Sequence, residues 1–194
     1  MYDFIKGRLV EKNPTYVVIE ANGIGYILHI SINTYTKIKE KENCCLYTHF
    51  VVREEAQVLY GFAEVEEREL FRQLISVSGV GPNTARMILS SASPLEVANA
   101  IGQGNAPFLQ GIKGIGAKTA QRIIVDLKGK VSKEPIPFEK VETGYNTTKE
   151  EALSGLIILG FPKMMAEKAL NRIIEKEGAA LPVEQLIRHA LKIL

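Results

Sequence analysis

A chain of 194 residues, 46% of them hydrophobic, is long enough to bury one core or several small ones. Its 24 basic and 22 acidic side chains leave a net charge of +2, which excludes a broad basic trough as the means of holding a polyanion. No apolar run approaches the roughly 20 residues needed to cross a bilayer, and Met1-Tyr-Asp-Phe-Ile-Lys6 lacks the basic, apolar and cleavage regions of a secretory signal, so a soluble cytoplasmic protein with no membrane partner is expected.

From Tyr2 to Phe62 the pattern is strand-like, with runs at Phe4 to Val10, Thr15 to Glu20, Tyr26 to Ser31, Cys44 to Val52 and Gln57 to Gly61. Gly23 and Gly25 punctuate one hairpin, and a brief helical piece falls near Thr34 to Ile38. Five such strands predict a small barrel of the OB type over 1–63, with a small sandwich as the competing fold. Cys44 and Cys45 are adjacent, a spacing that suits neither a disulfide framework nor a metal knuckle, and read as small strand residues. At Glu64 the period becomes helical, and Glu64 to Ser76 offers Val65, Leu70, Phe71, Leu74 and Ile75 to a core. A second helix follows Gly79 to Gly81. Ser93-Pro94-Leu95-Glu96 places a capping serine, a proline at the first helical position and a glutamate at the third, which starts another. Helices over Asn105 to Gln110 and Ala117 to Lys128 complete an all-helical region, 64–130.

Residues 131–147 hold two prolines and many charges without a sustained period, as a flexible linker does. Three helices are then predicted in 148–194, at about Thr148 to Leu159, Pro162 to Glu177 and Pro182 to Ile193. Thr148 and Glu151 form a candidate capping box for the first. A bundle of this size on a tether suits a partner-binding module.

The central region is internally duplicated. Ser76-Val-Ser-Gly-Val-Gly-Pro-Asn-Thr-Ala-Arg-Met-Ile-Leu89 returns as Gly111-Ile-Lys-Gly-Ile-Gly-Ala-Lys-Thr-Ala-Gln-Arg-Ile-Ile124, with Gly79 and Gly114 35 residues apart. Each copy reads as helix, glycine hairpin, helix. Such a turn aims unpaired N–H groups, at the positive end of a helix dipole, toward an anion that glycine lets approach closely. Two copies suggest paired clamps on one phosphate backbone, hence nucleic acid held without reading bases. The candidate contacts are Gly79, Val80, Gly81 and Thr84 in the first copy and Gly114, Ile115, Gly116, Lys118 and Thr119 in the second, with Arg86 and Arg122 as helpers. The net positive excess lies in this region, where 8 basic residues face 6 acidic ones. Glycines of this kind often only terminate helices, but the matched threonines favour phosphate. Gly111 to Thr119 also resembles a nucleotide-binding P-loop; Ala117 stands between the second glycine and the lysine, and helix rather than strand precedes it, so intrinsic ATP hydrolysis is rejected.

Three segments together resemble the RuvA family, bacterial subunits that recognise Holliday junctions: Thr48-His-Phe-Val-Val-Arg-Glu-Glu-Ala-Gln-Val-Leu-Tyr-Gly-Phe62, Gly79-Val-Gly-Pro82 and Gly114-Ile-Gly116. The resemblance covers nearly the whole chain. It implies a multidomain α+β protein: an N-terminal OB-type barrel, a central double helix-hairpin-helix domain and a C-terminal three-helix bundle on a flexible linker. Leu159-Gly160-Phe161 is similar to the loop of ubiquitin-associated modules. The resemblance further implies four-way junction DNA as ligand, the RuvB motor as partner through 148–194, the RuvC resolvase as a further partner, and a homotetramer or octamer. Many relatives carry lysine where this chain has Asn83 and Ala117, which thins the cationic support.

Glu54 and Glu55 fall between two strand runs and, from composition alone, read as a solvated turn. In the RuvA family, matching acidic residues form a pin at the centre of the tetramer. Carboxylates there repel phosphates, hold the arms apart and discourage ordinary duplex; Arg53 softens that repulsion or anchors a strand. A metal-dependent nuclease using this turn is the alternative from another class, and a general DNA-binding adaptor without junction preference is the nearer one. Two adjacent carboxylates make a poor metal cage, and His29, His49 and His189 are scattered and read as packing residues. No catalytic residue, cofactor or metal is expected, and any ATPase belongs to a partner.

Overall fold

The structure, a computed structural model, describes residues 2–38, 43–54, 56–131, 146–178 and 181–194. The chain divides into two compact units, 1–138 and 139–194. In the first, β1 (Phe4–Asn13), β2 (Tyr16–Ala21), β3 (Ile24–His29), β4 (Cys44–Val52) and β5 (Gln57–Phe62) close into a barrel in the order β1-β2-β3-β5-β4. Closure, completed by Phe4↔Tyr47 through Gly7↔Cys44 pairing of β1 with β4, decides against the sandwich. β-branched and leucine side chains alternate inward, so that Ile5, Val17, Ile19, Leu28 and Leu46 fill the barrel. β1 runs on to Asn13, three residues beyond the expected end, past a register shift between Leu9 and Glu11. β3 stops at His29 because Ser31 turns the chain: its hydroxyl accepts the Thr34 amide and caps α1 (Ile32–Lys37).

The helices α2 (Val65–Ile75), α3 (Pro82–Ser91), α4 (Pro94–Gln103), α5 (Ala106–Gln110) and α6 (Ala117–Val131) pack around Phe71, Leu74, Ile88, Leu89, Ile101, Leu109, Ile123 and Leu127. α2 fastens them to the barrel wall. Its Phe71 ring lies 5.5 Å from His49, 5.1 Å from Tyr60 and 4.9 Å from Phe62, centre to centre. One turn away, the fully buried Glu67 accepts the Ser31 hydroxyl on one oxygen and the Thr34 hydroxyl on the other at 2.7 Å. Burial pushes this carboxyl above its ordinary range, although the hydroxyl bonds pull the other way. The Arg68 guanidinium reaches back to the Asp3 carbonyl at 2.9 Å and carboxylate at 2.6 Å. α4 starts as its sequence requires, with the Ser93–Glu96 capping box complete.

The second unit contains α7 (Asn146–Ile158), α8 (Lys163–Glu177) and α9 (Val183–Ala190), packed around Leu156, Leu170, Ile173 and Leu186. α7 opens at Asn146, so Thr148, expected as the cap, lies inside the first turn instead. Of the expected linker 131–147, Val131 ends α6 and residues 146 and 147 begin α7; the remainder lies outside the described residues.

Candidate nucleic-acid interface

The two glycine hairpins have the same backbone. Gly79 has φ 89° and Gly114 φ 90°, a conformation that residues with a Cβ rarely adopt. The next residue closes the turn in each case: the Val80 amide donates to the Val77 carbonyl at 3.0 Å, and the Ile115 amide to the Ile112 carbonyl at 3.0 Å. Val80 and Ile115 bury their side chains in the helical core. They plug the turns down and their amides close them, which differs from the sequence expectation that these two amides face an anion. The donors lie one step on. Gly81 caps α3, and Gly116 immediately precedes α6; the Ala85 amide returns to Gly81 at 2.9 Å and the Ala120 amide to Gly116 at 3.0 Å. N–H groups between cap and first helical bond have no intrahelical acceptor. In the first hairpin these belong to Gly81, Asn83 and Thr84, because Pro82 has none; in the second, to Gly116, Ala117, Lys118 and Thr119.

Thr84 and Thr119 occupy the third position of their helices, both half-buried, as the duplication requires. Lys118 is exposed, as is Lys113 before the second turn. The two arginines expected as helpers are differently occupied. Arg86 Nη1 donates to the Thr15 carbonyl at 3.0 Å and lies 3.5 Å from His29 Nδ1, so it faces the barrel. Arg122 Nη1 reaches from α6 to the first hairpin, donating to the Ser78 carbonyl at 3.0 Å and hydroxyl at 3.3 Å. Ser78 and Thr15 were invisible as partners, since 44 and 71 residues separate them from their arginines.

Burial, and secondarily the positive charge of Arg86, holds the His29 imidazole below its ordinary value. The same combination, with burial again the larger cause and Arg72 next, lowers His49. Both rings pack on aromatics, His29 6.0 Å from Tyr60 and His49 5.5 Å from Phe71, as expected of packing residues; His189 is half-buried in the last turn of α9. Glu54 is exposed at the tip of the β4–β5 hairpin, where the Arg53 amide donates to the Ala56 carbonyl at 2.9 Å. Glu55 lies outside the described residues. Both cysteines are free, Cys44 buried and Cys45 exposed. Among the described residues no group of three or more His, Cys, Asp or Glu is placed to hold a metal ion, and no helix is long and apolar enough to cross a membrane.

A closed five-stranded barrel carrying tandem glycine-turn helix pairs defines an OB-type, double helix-hairpin-helix protein. Residues 1–61 match the RuvA N terminal domain, 71–129 the SAM-like helix-hairpin-helix tandem and 148–194 the RuvA C-terminal domain. The Holliday junction branch migration complex subunit RuvA of Christiangramia forsetii is 53% identical to this chain across 100% of both. The subunits of the same name from Azobacteroides pseudotrichonymphae and Bacteroides fragilis are 47% identical, again across 100% of both chains. The chain belongs to the RuvA family.

Proposed function

We propose that this protein is a non-catalytic, structure-specific DNA-binding subunit that holds a four-way junction open and recruits the ATP-driven motor RuvB for branch migration. The observation that carries this reading is the pair of hairpins whose own turns are satisfied while the helix N-termini just beyond them present orphan N–H groups. The grip is assigned to Gly81, Thr84, Gly116, Lys118 and Thr119, with Gly79 and Gly114 shaping the turns and Val80 and Ile115 anchoring them. Residues 1–63 form the platform, 64–130 the grip and 148–194 the motor-binding part. Glu54 and Glu55 act as the acidic pin, their charge repelling phosphate at the crossover and favouring an open junction over plain duplex. Four or eight copies multiply a grip that one weakly charged chain makes poorly.

Support for a protein partner comes from the second unit. Around Gly160 it exposes Ile158, Leu159, Met164 and Met165, the first and third more than four-fifths accessible. Apolar side chains gathered at one turn, with adaptable methionines among them, suit a protein contact. ATP hydrolysis belongs to the motor, and the RuvC resolvase is a further partner of the same complex.

Gly81→Asp combined with Gly116→Asp tests the grip. A Cβ at either position meets nothing within 4 Å, so both changes fit the fold while placing a carboxylate at the anion site. Junction affinity is expected to collapse with the melting temperature unchanged; intact affinity contradicts the assignment.

A further inference from the structure

Motif position makes Arg86 and Arg122 look like phosphate ligands, and their hydrogen bonds say otherwise. Arg86 extends from α3 onto the turn between β1 and β2, where the Thr15 carbonyl takes one N–H at 3.0 Å and His29 lies alongside. On the same helix, Asn83 meets the Tyr60 hydroxyl at 3.5 Å, and the Ser90 hydroxyl accepts the Ile32 amide at 3.1 Å. α3, and with it the first hairpin's donor set, is therefore tied to the β1–β2 turn through Arg86 and to α1 through Ser90, with the Asn83 contact to Tyr60 at the long limit of a hydrogen bond. Arg122 performs the corresponding task between the hairpins. One guanidinium nitrogen of α6 satisfies both the carbonyl and the hydroxyl of Ser78, the residue before Gly79. A Cβ placed on Gly79 would stand 3.8 Å from that nitrogen, so the arginine lies directly against the first turn.

We propose that Arg86 and Arg122 are positioning residues: Arg86 fixes the first hairpin to the barrel, Arg122 fixes the second hairpin to the first, and neither is a principal ligand of phosphate. This rests on the grip reading above. Two clamps on a regular backbone act together only when their spacing matches the phosphate repeat, and a misplaced donor loses its charge-assisted bond. The braces also run in series from the barrel, which carries the acidic turn, through the first hairpin to the second. The charge that contacts DNA directly is then left to Lys118, with Lys113 exposed before the same turn.

Charge-conserving and charge-removing variants separate the roles. Arg122→Lys, Arg122→Gln, Arg86→Lys and Arg86→Gln are compared with Lys118→Gln in the whole chain, measuring junction Kd across a salt series, binding stoichiometry and melting temperature. A lysine keeps the charge that serves a phosphate, but its ammonium ends one bond short of the Nη1 with which Arg122 reaches Ser78 and Arg86 reaches Thr15 and His29. A positioning role predicts that Lys and Gln weaken binding alike, by about tenfold, with full stoichiometry and an unchanged slope of log K against log salt. A phosphate ligand predicts near-normal binding with Lys and, with Gln, a slope shallower by about 0.9 for each phosphate no longer neutralised. That second pattern, unchanged binding by all four variants, or a weakening that follows a falling stoichiometry overturns the positioning assignment. Lys118→Gln reports on the grip separately: if it changes neither affinity nor slope, the grip reading fails and the positioning inference fails with it.

Discussion

The turns at Gly79 and Gly114 share their φ angles and closing hydrogen bonds, yet the helices leaving them meet different neighbours. α3 begins with Pro82, which has no N–H, follows it with the neutral Asn83, and directs Arg86 onto the β1–β2 turn. α6 begins Ala117-Lys118-Thr119, with every N–H present, an exposed lysine and a second lysine before the turn. Duplication has thus kept the shape of the turn while the helices that follow it have diverged. On the proposed grip, the first hairpin, tied to the barrel by Arg86, would supply geometry, and the second, with its exposed lysine, would supply charge.

Single aspartates separate the two hairpins. Gly116→Asp is expected to weaken junction binding roughly 100-fold, since it sets a carboxylate among four orphan N–H groups and beside Lys118. Gly81→Asp, facing fewer donors and no lysine, is expected to weaken it roughly tenfold. Equal effects in a filter-binding or anisotropy titration contradict the asymmetry. Lys118→Gln comes next, with affinity expected to fall about threefold to tenfold and a salt slope shallower by about 0.9 per neutralised phosphate. Asn83→Lys works in the opposite direction. Asn83 is exposed and its hydrogen bond with Tyr60 is long, so a lysine there gives the first hairpin the cation it lacks. Affinity is expected to rise about threefold with a steeper slope; an unchanged slope means that residue 83 does not face phosphate.

The smallest expected effect concerns pH and only the docked hairpin. Burial and Arg86 disfavour the charged imidazole of His29, so its folded value lies below the unfolded one. The stability this contributes is present above the unfolded value and is lost as pH falls through the folded value, when a second cation forms beside Arg86. Melting temperature is expected to decline over that acidic window in the wild type and less steeply in His29→Gln. Identical declines remove His29 from the docking account.

What was legible in the sequence followed from local chemistry. β4 runs from Cys44 to Val52 as its β-branched and aromatic pattern requires, α4 begins at its capping box, and both glycine turns fall where the repeat places them. What was not legible depends on which polar group a neighbour has already taken. Spacing identifies Val80 and Ile115 as turn residues, but only the folded turn shows their amides bonded to carbonyls three residues back. Glu67 reads as an ordinary helix glutamate until α1 brings Ser31 and Thr34 across the barrel to it. Arg86 and Arg122 read as free cations until Thr15 and Ser78 arrive from remote positions. The acidic turn was placed from the strands on either side, and its proposed role comes from family resemblance, since an exposed glutamate at a hairpin tip carries no local mark of function.

The proposed function requires that backbone gripping by paired hairpins, combined with an acidic turn, select a junction over a plain duplex. The most direct measurement is binding of the purified protein to a synthetic four-way junction and to linear duplex of equal length, at near-physiological salt without ATP or partner. A strong junction preference in a complex containing four or eight chains is expected. Equal binding of both DNAs by a smaller species contradicts it and leaves a general DNA-binding adaptor.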